Sequence, residues 1–378
     1  MRTRILPLLL TLAVVGCSLS PDTATGPQLG ADAIAYTPGE SWRKASGREL
    51  AIDESIIGSL LARIRSGRYG TQHSLMIVRD GWVVTEEYFG GWPADSIHTL
   101  QSVTKSVASL ITGVAIARHD LGATTDTLYR LVPSYAPIRN LDSWKMGLTL
   151  RDLLTMRTGQ DWWEDPYDGS PLQQLNSSAT DWIRFVVDWP MREKPGVRWS
   201  YNSGGVVALG GVLQIASRSN AADYTREFLF RPIGIVDDKW VRGNPSSLPH
   251  FGGGLYLTTR DLARLGYLVL RNGRWGTTQV VPESWIREST HLQVADPRAF
   301  GSHRADYGYL WWLLPIDGVN GLDRPPAELV IAAIGAQGQH LFVVPKYDLV
   351  VVITADIQSG NENAALDFLY SDILRAMR

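Results

Sequence analysis

The order of apolar patterns along this 378-residue chain predicts an α+β domain. In it an antiparallel sheet, flanked by N- and C-terminal helices, carries an inserted and mostly helical subdomain. Three observations lead to that class. Near the start, Ser74 to Val78 and Trp82 to Phe89 read as two strands around Arg79-Asp80-Gly81, an Asp-Gly turn between apolar runs. Near the end, Leu341 to Val344 and Leu349 to Thr354 form a second pair around Pro345-Lys346-Tyr347-Asp348. Between the pairs the periodicity is mainly helical, so the two ends of the chain supply the two halves of one sheet.

In chain order, residues 1–16 read as a signal peptide. Arg2 and Arg4 precede an uncharged run from Ile5 to Val15, the length of a secretory apolar core and too short to span a bilayer. The run ends in Val14-Val15-Gly16-Cys17, which resembles a bacterial lipobox. The expectation is therefore an exported protein of the bacterial cell envelope, attached to a membrane by a lipid on Cys17. Cys17 is the sole cysteine, so it has no disulfide partner within the chain. Residues 17–42, rich in Ser, Thr, Pro, Gly and Ala, suit a flexible tether. The folded body is then 43–378, its sheet parts about 43–98 and 300–378 and its helical part about 99–299. Within it a helix is expected from about Ile52 to Arg65. Thr149-Leu150-Arg151-Asp152 and Thr258-Thr259-Arg260-Asp261 each read as a capping box opening a helix, and a last helix runs from about Asn361 to Met377.

Composition excludes several functions. A net charge of -2 gives no basic field for nucleic acid, and 44% hydrophobic with 20% charged residues is ordinary for a globular core. The seven histidines show neither H-x-H nor H-E-x-x-H spacing, so no metal and no other cofactor is expected. Fourteen tryptophans, clustered at Trp162-Trp163 and Trp311-Trp312, are expected to pack the core or line a cleft.

The chemistry is expected at Ser102-Val103-Thr104-Lys105. Val103, Val107, Leu110, Ile111 and Val114 repeat with helical spacing, which places Ser102 and Lys105 one turn apart at the head of a mostly apolar helix. A serine hydroxyl is a weak nucleophile unless a base takes its proton, and an amine in an apolar setting is a candidate base. Spacing alone does not single this pair out. Ser41-Trp42-Arg43-Lys44 has the same spacing, but no apolar periodicity follows it.

Further motifs occur in order: Leu153-Leu154-Thr155-Met156-Arg157-Thr158-Gly159, Lys194-Pro195-Gly196-Val197-Arg198-Trp199-Ser200-Tyr201-Asn202-Ser203 and Gly252-Gly253-Gly254-Leu255-Tyr256-Leu257-Thr258-Thr259-Arg260-Asp261. Tyr307-Gly308-Tyr309-Leu310-Trp311-Trp312 and Gly338-Gln339-His340-Leu341 continue the series. With Ser102 and Lys105 they resemble the serine β-lactamase and penicillin-binding superfamily. The likeness is to its class C-like branch of esterases, D-alanyl peptidases and 6-aminohexanoate-dimer hydrolases. The resemblance implies a β-lactamase-like fold with the site between sheet and helical lobe. It also implies that Tyr201 faces Ser102 and shares with Lys105 the transfer of its proton to the leaving group. The family's third motif, usually Lys-Thr-Gly, aligns with Ala333-Ile334-Gly335, so that the backbone amides of Ser102 and Ala336 would form the oxyanion hole.

The departures from the family pattern bear on substrate. Ala333 and Ile334 offer neither cation nor hydroxyl for the carboxylate beside the scissile amide of a penicillin or a D-Ala-D-Ala peptide, and leaving it unpaired is costly. Ser203 stands where β-lactamases commonly have asparagine, with Asn202 as a shifted alternative. The expected substrate is a small ester, amide or short peptide-like molecule without that carboxylate. Trp163, Tyr167, Ser203 and Gly335 are candidate substrate contacts, with Tyr167 a donor to the leaving nitrogen by analogy with the nylon-oligomer branch. The acidic residues of the loop from Gln160 to Asp168 are expected to be solvated, and Pro249-His250-Phe251 to form a cleft wall. The alternatives are a D,D-carboxypeptidase or class C-like β-lactamase, and a non-catalytic envelope binding protein.

Overall fold

The computed structural model describes residues 36–377 except 40, 318, 320, 323, 359 and 360, so Cys17, the expected signal peptide and most of the expected tether lie outside the described residues. An eight-stranded antiparallel sheet forms the spine. Its strands are β1 (Gln72–Arg79), β2 (Trp82–Tyr88), β3 (Val294–Phe300), β4 (His303–Tyr307), β5 (Trp312–Pro315), β6 (Leu329–Gly335), β7 (Gln339–Val344) and β8 (Leu349–Ala355), in the order β3-β4-β5-β6-β7-β8-β1-β2. The two sequence-legible hairpins, β1–β2 and β7–β8, lie side by side at one end of the sheet, where β1 pairs with β8 from Gln72↔Ala355 to Arg79↔Leu349. β6, β7 and β8 are buried along their whole length, which explains why they read as continuous apolar runs without strand alternation.

Helix α1 (Glu54–Arg65) starts at Asp53, whose side chain accepts from Ser55 N, and it packs beside the C-terminal helical segment that begins with α5 (Ala364–Phe368). Two helices form the centre of the other lobe. Helix α2 (Thr104–Ala117) is buried from Thr104 through Ala115, on all sides rather than along one stripe as its periodicity predicts. Two of its buried hydroxyls are satisfied by carbonyls, Ser106 Oγ donating to Leu310 O and Thr112 Oγ1 to Ala108 O, while Ser109 Oγ has no partner among the described residues. Against it packs α3 (Ser203–Ser217), capped by Asn202, whose side chain accepts from Gly205 N. Both predicted capping positions are occupied. Thr149 and Asp152 form a complete box, and Thr258 accepts from Asp261 N at the start of α4 (Thr259–Leu270), which lies on the sheet. The inserted region also holds a short three-stranded sheet (His98–Thr99, Leu255–Leu257 and Lys239–Trp240) that the sequence did not announce. Two- and three-residue strands are too short to show a period.

Among the described residues no helix is long and apolar enough to cross a membrane.

Candidate active site

Between sheet and helical lobe lies a cleft of ≈1020 Å³, and Ser102 lies on its surface. Ser102 sits in a short 3-10 turn (Gln101–Val103) that runs directly into α2, slightly ahead of the α-helix on which the spacing predicts it. Lys105, in the first turn of α2, is 1% exposed. Its Nζ lies 2.9 Å from Ser102 Oγ and donates to Gly252 O at 2.5 Å, and no carboxylate pairs with it among the described residues. Gly252 must be glycine for this. A Cβ there would meet Ser203 O at 2.8 Å, pushing the Gly252 carbonyl away from Lys105 Nζ. The decoy pair behaves as a surface pair, with Ser41 exposed and Lys44 bridging to Glu86 Oε2 at 3.0 Å.

Tyr201 reaches the same place from the loop before α3. Its ring lies 4.7 Å from Lys105 Nζ and stacks on Trp312 at 6.2 Å and 16°, with Trp199 on another side. The aromatic residues expected to line a cleft thus form the bed on which the phenol is set. Asn202 is fully buried; besides capping α3 it donates to Thr158 Oγ1 and Gln160 Oε1, so it is not a shifted substitute facing substrate. Ser203 does line the cleft, but its N–H and hydroxyl both donate to the carboxylate of Glu164, which also accepts from Trp162 Nε1.

That contact corrects one expectation. Glu164 is not a solvated loop residue; it stands on the N-terminus of α3, where a negative charge is stabilised. No local pattern announces it, because its partner lies 39 residues away.

The third wall is the end of β6. Ile334, Gly335 and Ala336 line the cleft, and Ala336 opens a short 3-10 segment (Ala336–Gly338). Ser102 occupies a first-turn position ahead of α2, whose amide a helix leaves without an intrahelical acceptor. The flanking residues Gln101 and Gln337 both adopt left-handed backbone (φ +46° and +64°), and Gln101 Nε2 donates to Gln337 Oε1 at 3.0 Å. Two non-glycine residues in a sparsely allowed region, tied side chain to side chain beside the expected oxyanion hole, are strain held by the surrounding structure.

At the mouth, Trp163 (42% exposed) and Tyr167 (48% exposed) both line the cleft. Tyr167 Oη accepts from Asn176 Nδ2 at 3.4 Å, and Asn176 Oδ1 contacts His250 Nε2 at 3.1 Å. His250 is a cleft wall, as expected. Burial, and then the charge of Lys105, pushes its imidazole down to about 4, so it is a neutral ring. His340 in β7 is likewise lowered to about 4, by burial.

These two rings carry a stability prediction. An unfolded histidine titrates near 6.5, so as pH falls the unfolded chain binds protons before the folded one. The folded state should therefore lose roughly 3 kcal/mol per ring between pH 6.5 and 4. Urea midpoints should fall steadily from pH 7.5 to 4.5; a flat profile would contradict the buried neutral rings.

Among the described residues no group of three or more His, Cys, Asp or Glu side chains is placed to hold a metal.

Comparison with known proteins decides the lineage. A model of the beta-lactamase family matches residues 68–374, most of the chain. The chain belongs to the beta-lactamase family. Within this family of serine hydrolases it is 21% identical over 296 residues to the 6-aminohexanoate-dimer hydrolase of Paenarthrobacter ureafaciens, covering 74% of this chain and 71% of that protein. Its fold is also that of EstCE1, a hydrolase with promiscuous acyltransferase activity (TM-score 0.67, 17% identity, 85% of this chain and 99% of that one). The class C beta-lactamase of Rhodobacter sphaeroides shares the fold as well (TM-score 0.63, 16% identity, 86% and 100%). Against that family background, the structure brings Ser102, Lys105 and Tyr201 to one place and lines the cleft with the apolar Ile334 at the end of β6.

Proposed function

We propose that this protein hydrolyses a small ester or amide through an acyl-enzyme on Ser102. The observation that carries the reading is the buried Lys105, with Nζ 2.9 Å from Ser102 Oγ at a cleft large enough for a small-molecule substrate. In the proposed reaction Ser102 Oγ attacks the carbonyl carbon while Lys105 and Tyr201 take the hydroxyl proton, and the amides of Ser102 and Ala336 receive the developing oxyanion. The bond to the leaving oxygen or nitrogen then breaks as the proton passes to it. Water next attacks the acyl-serine ester, which frees the acid and returns the proton to Ser102.

Ala333 and Ile334 in β6 supply no partner for a carboxylate next to the scissile bond, which disfavours penicillins and D-Ala-D-Ala peptides. The relative named for the 6-aminohexanoate dimer makes a linear amide a natural member of the test set. The protein should be assayed with a p-nitrophenyl acyl ester, the 6-aminohexanoate dimer and a fluorescent penicillin. Turnover of the ester or linear amide with little penicillin labelling is expected. Strong penicillin hydrolysis or stable labelling would instead establish the D,D-carboxypeptidase or class C-like β-lactamase reading, and inertness to all three the non-catalytic one.

A further inference from the structure

The cleft contains a cation that no motif announces. β3 is the outermost strand of the sheet, and its pairing with β4 shifts register between Val294 and Arg298, with Asp296 in left-handed backbone (φ +48°) inside the shift. Beyond that irregularity Arg298, Ala299 and Phe300 overhang the cleft and line it together with Ser102 and Tyr201. The guanidinium carbon of Arg298 lies 5.4 Å from the Phe300 ring and 5.9 Å from the Tyr201 ring. Resting on aromatic faces orients a guanidinium without using its N–H donors, which stay available as a planar fork.

The surrounding carboxylates leave that fork unneutralised. Asp296, two residues away, is held by Arg304, whose Nε donates to both of its oxygens at 2.6 and 2.7 Å. Glu164 is occupied by Ser203 and Trp162, and Glu362 accepts from Gln337 N at 3.4 Å on the oxyanion side. Asp165 stays exposed on the lining. None of them forms an ion pair with Arg298, the only cationic side chain among the described residues that line the cleft. A charge-assisted, bidentate contact to a planar oxyanion is the interaction such a side chain offers most strongly.

We propose that Arg298 sets substrate specificity by receiving an anionic group, a carboxylate or comparable oxyanion, carried on the leaving-group portion of the substrate. The side of the substrate follows from Tyr201: Arg298 lies over the ring of the residue proposed to protonate the leaving group. The anion is not beside the scissile bond, where β6 presents the apolar Ile334, but is separated from it by a spacer that follows the Tyr201 ring. The substrate class is then an ester or amide whose alcohol or amine component is itself a spaced acid. This rests on the reading of Ser102 and Tyr201 given above.

The test compares 4-acetoxybenzoate, whose leaving phenol carries a carboxylate across a ring, with its neutral analogue 4-acetoxybenzamide, in the full-length protein and in Arg298→Met and Arg298→Lys. In Arg298→Met, kcat/KM for the benzoate should fall by about ten- to a hundredfold, chiefly through KM, while the benzamide changes less than about twofold. Arg298→Lys should recover part of the loss. An equal fall for both esters, or no change for the benzoate, would overturn the assignment. The product 4-hydroxybenzoate gives a readout independent of turnover. Calorimetry should find it bound about tenfold or more weakly by Arg298→Met than by the unaltered protein, and equal affinities would overturn the subsite. If instead 4-hydroxybenzoate binding depends on Arg298 but neither ester is turned over, the hydrolase reading fails and the anion subsite stands.

Discussion

Ser102→Ala should lower kcat on the preferred ester by on the order of 10⁴-fold or more, and adding Lys105→Ala to it should cost little further. Removing the nucleophile deletes the covalent route, and residues that act as one unit give grossly non-additive losses. The geometry supports treating the pair as a unit. Lys105 Nζ has Ser102 Oγ on one side and Gly252 O on the other, and is otherwise enclosed. Lys105→Ala alone should therefore approach the loss of Ser102→Ala in kcat. It should also destabilise the fold, because the buried carbonyl of Gly252 loses its donor, a loss worth about 1–3 kcal/mol. Full ester turnover in Ser102→Ala would remove Ser102 from the chemistry altogether. A double variant far slower than either single one would show two independent routes.

The second large effect is expected from one methyl group. Gly335 has ordinary extended backbone (φ -122°, ψ 152°), so alanine could adopt its conformation. Space is the obstacle. A Cβ would stand 2.6 Å from Leu100 O and 3.1 Å from the Cβ atoms of Gln101 and Gln339. Leu100 cannot retreat, since it is fully buried and its N–H donates to Leu255 O at 2.8 Å. The end of β6 must shift instead, carrying the Ala336 amide away from Ser102. Loss of one oxyanion donor costs about 10²–10³ in kcat, so Gly335→Ala should fall in that range with KM changed far less. Unaltered kcat would mean that the third motif lies elsewhere on β6.

Much of this could be read from the chain because its signals are local. Asp80-Gly81 marks the first hairpin, Thr149 and Thr258 mark helix starts, and the order of Ser102, Tyr201 and Gly335 along the sequence gives the family. What escaped depends on contacts with no sequence spacing. Glu164 is defined by Ser203, and Arg298 by the rings of Tyr201 and Phe300, which no periodicity brings together. Asn202 reads as a shifted alternative to the family's asparagine because a side chain's neighbours in sequence do not reveal that it is sealed under Thr158 and Gln160. The helix carrying Lys105 reads as one-sided because small polar residues such as Ser106 and Thr112 interrupt its apolar pattern, although they are buried and donate to carbonyls, so its burial on every side is invisible to a hydrophobic pattern.

The pairing of β1 with β8 has a consequence for how the chain reaches this state. Ser74 and Thr354, hydrogen-bonded at 2.7 Å between these two strands, are 280 residues apart. During synthesis the first hairpin is made early, but the open edge of β1 has no partner until nearly the whole polypeptide exists, so an exposed strand edge must wait for it. Contacts of such separation slow folding, since the closure entropy falls due before the pairing returns any stability. Gly335, which lines the cleft with Ser102, belongs to the same late-made stretch as β7 and β8, so catalytic competence should be among the last properties a newly made molecule acquires.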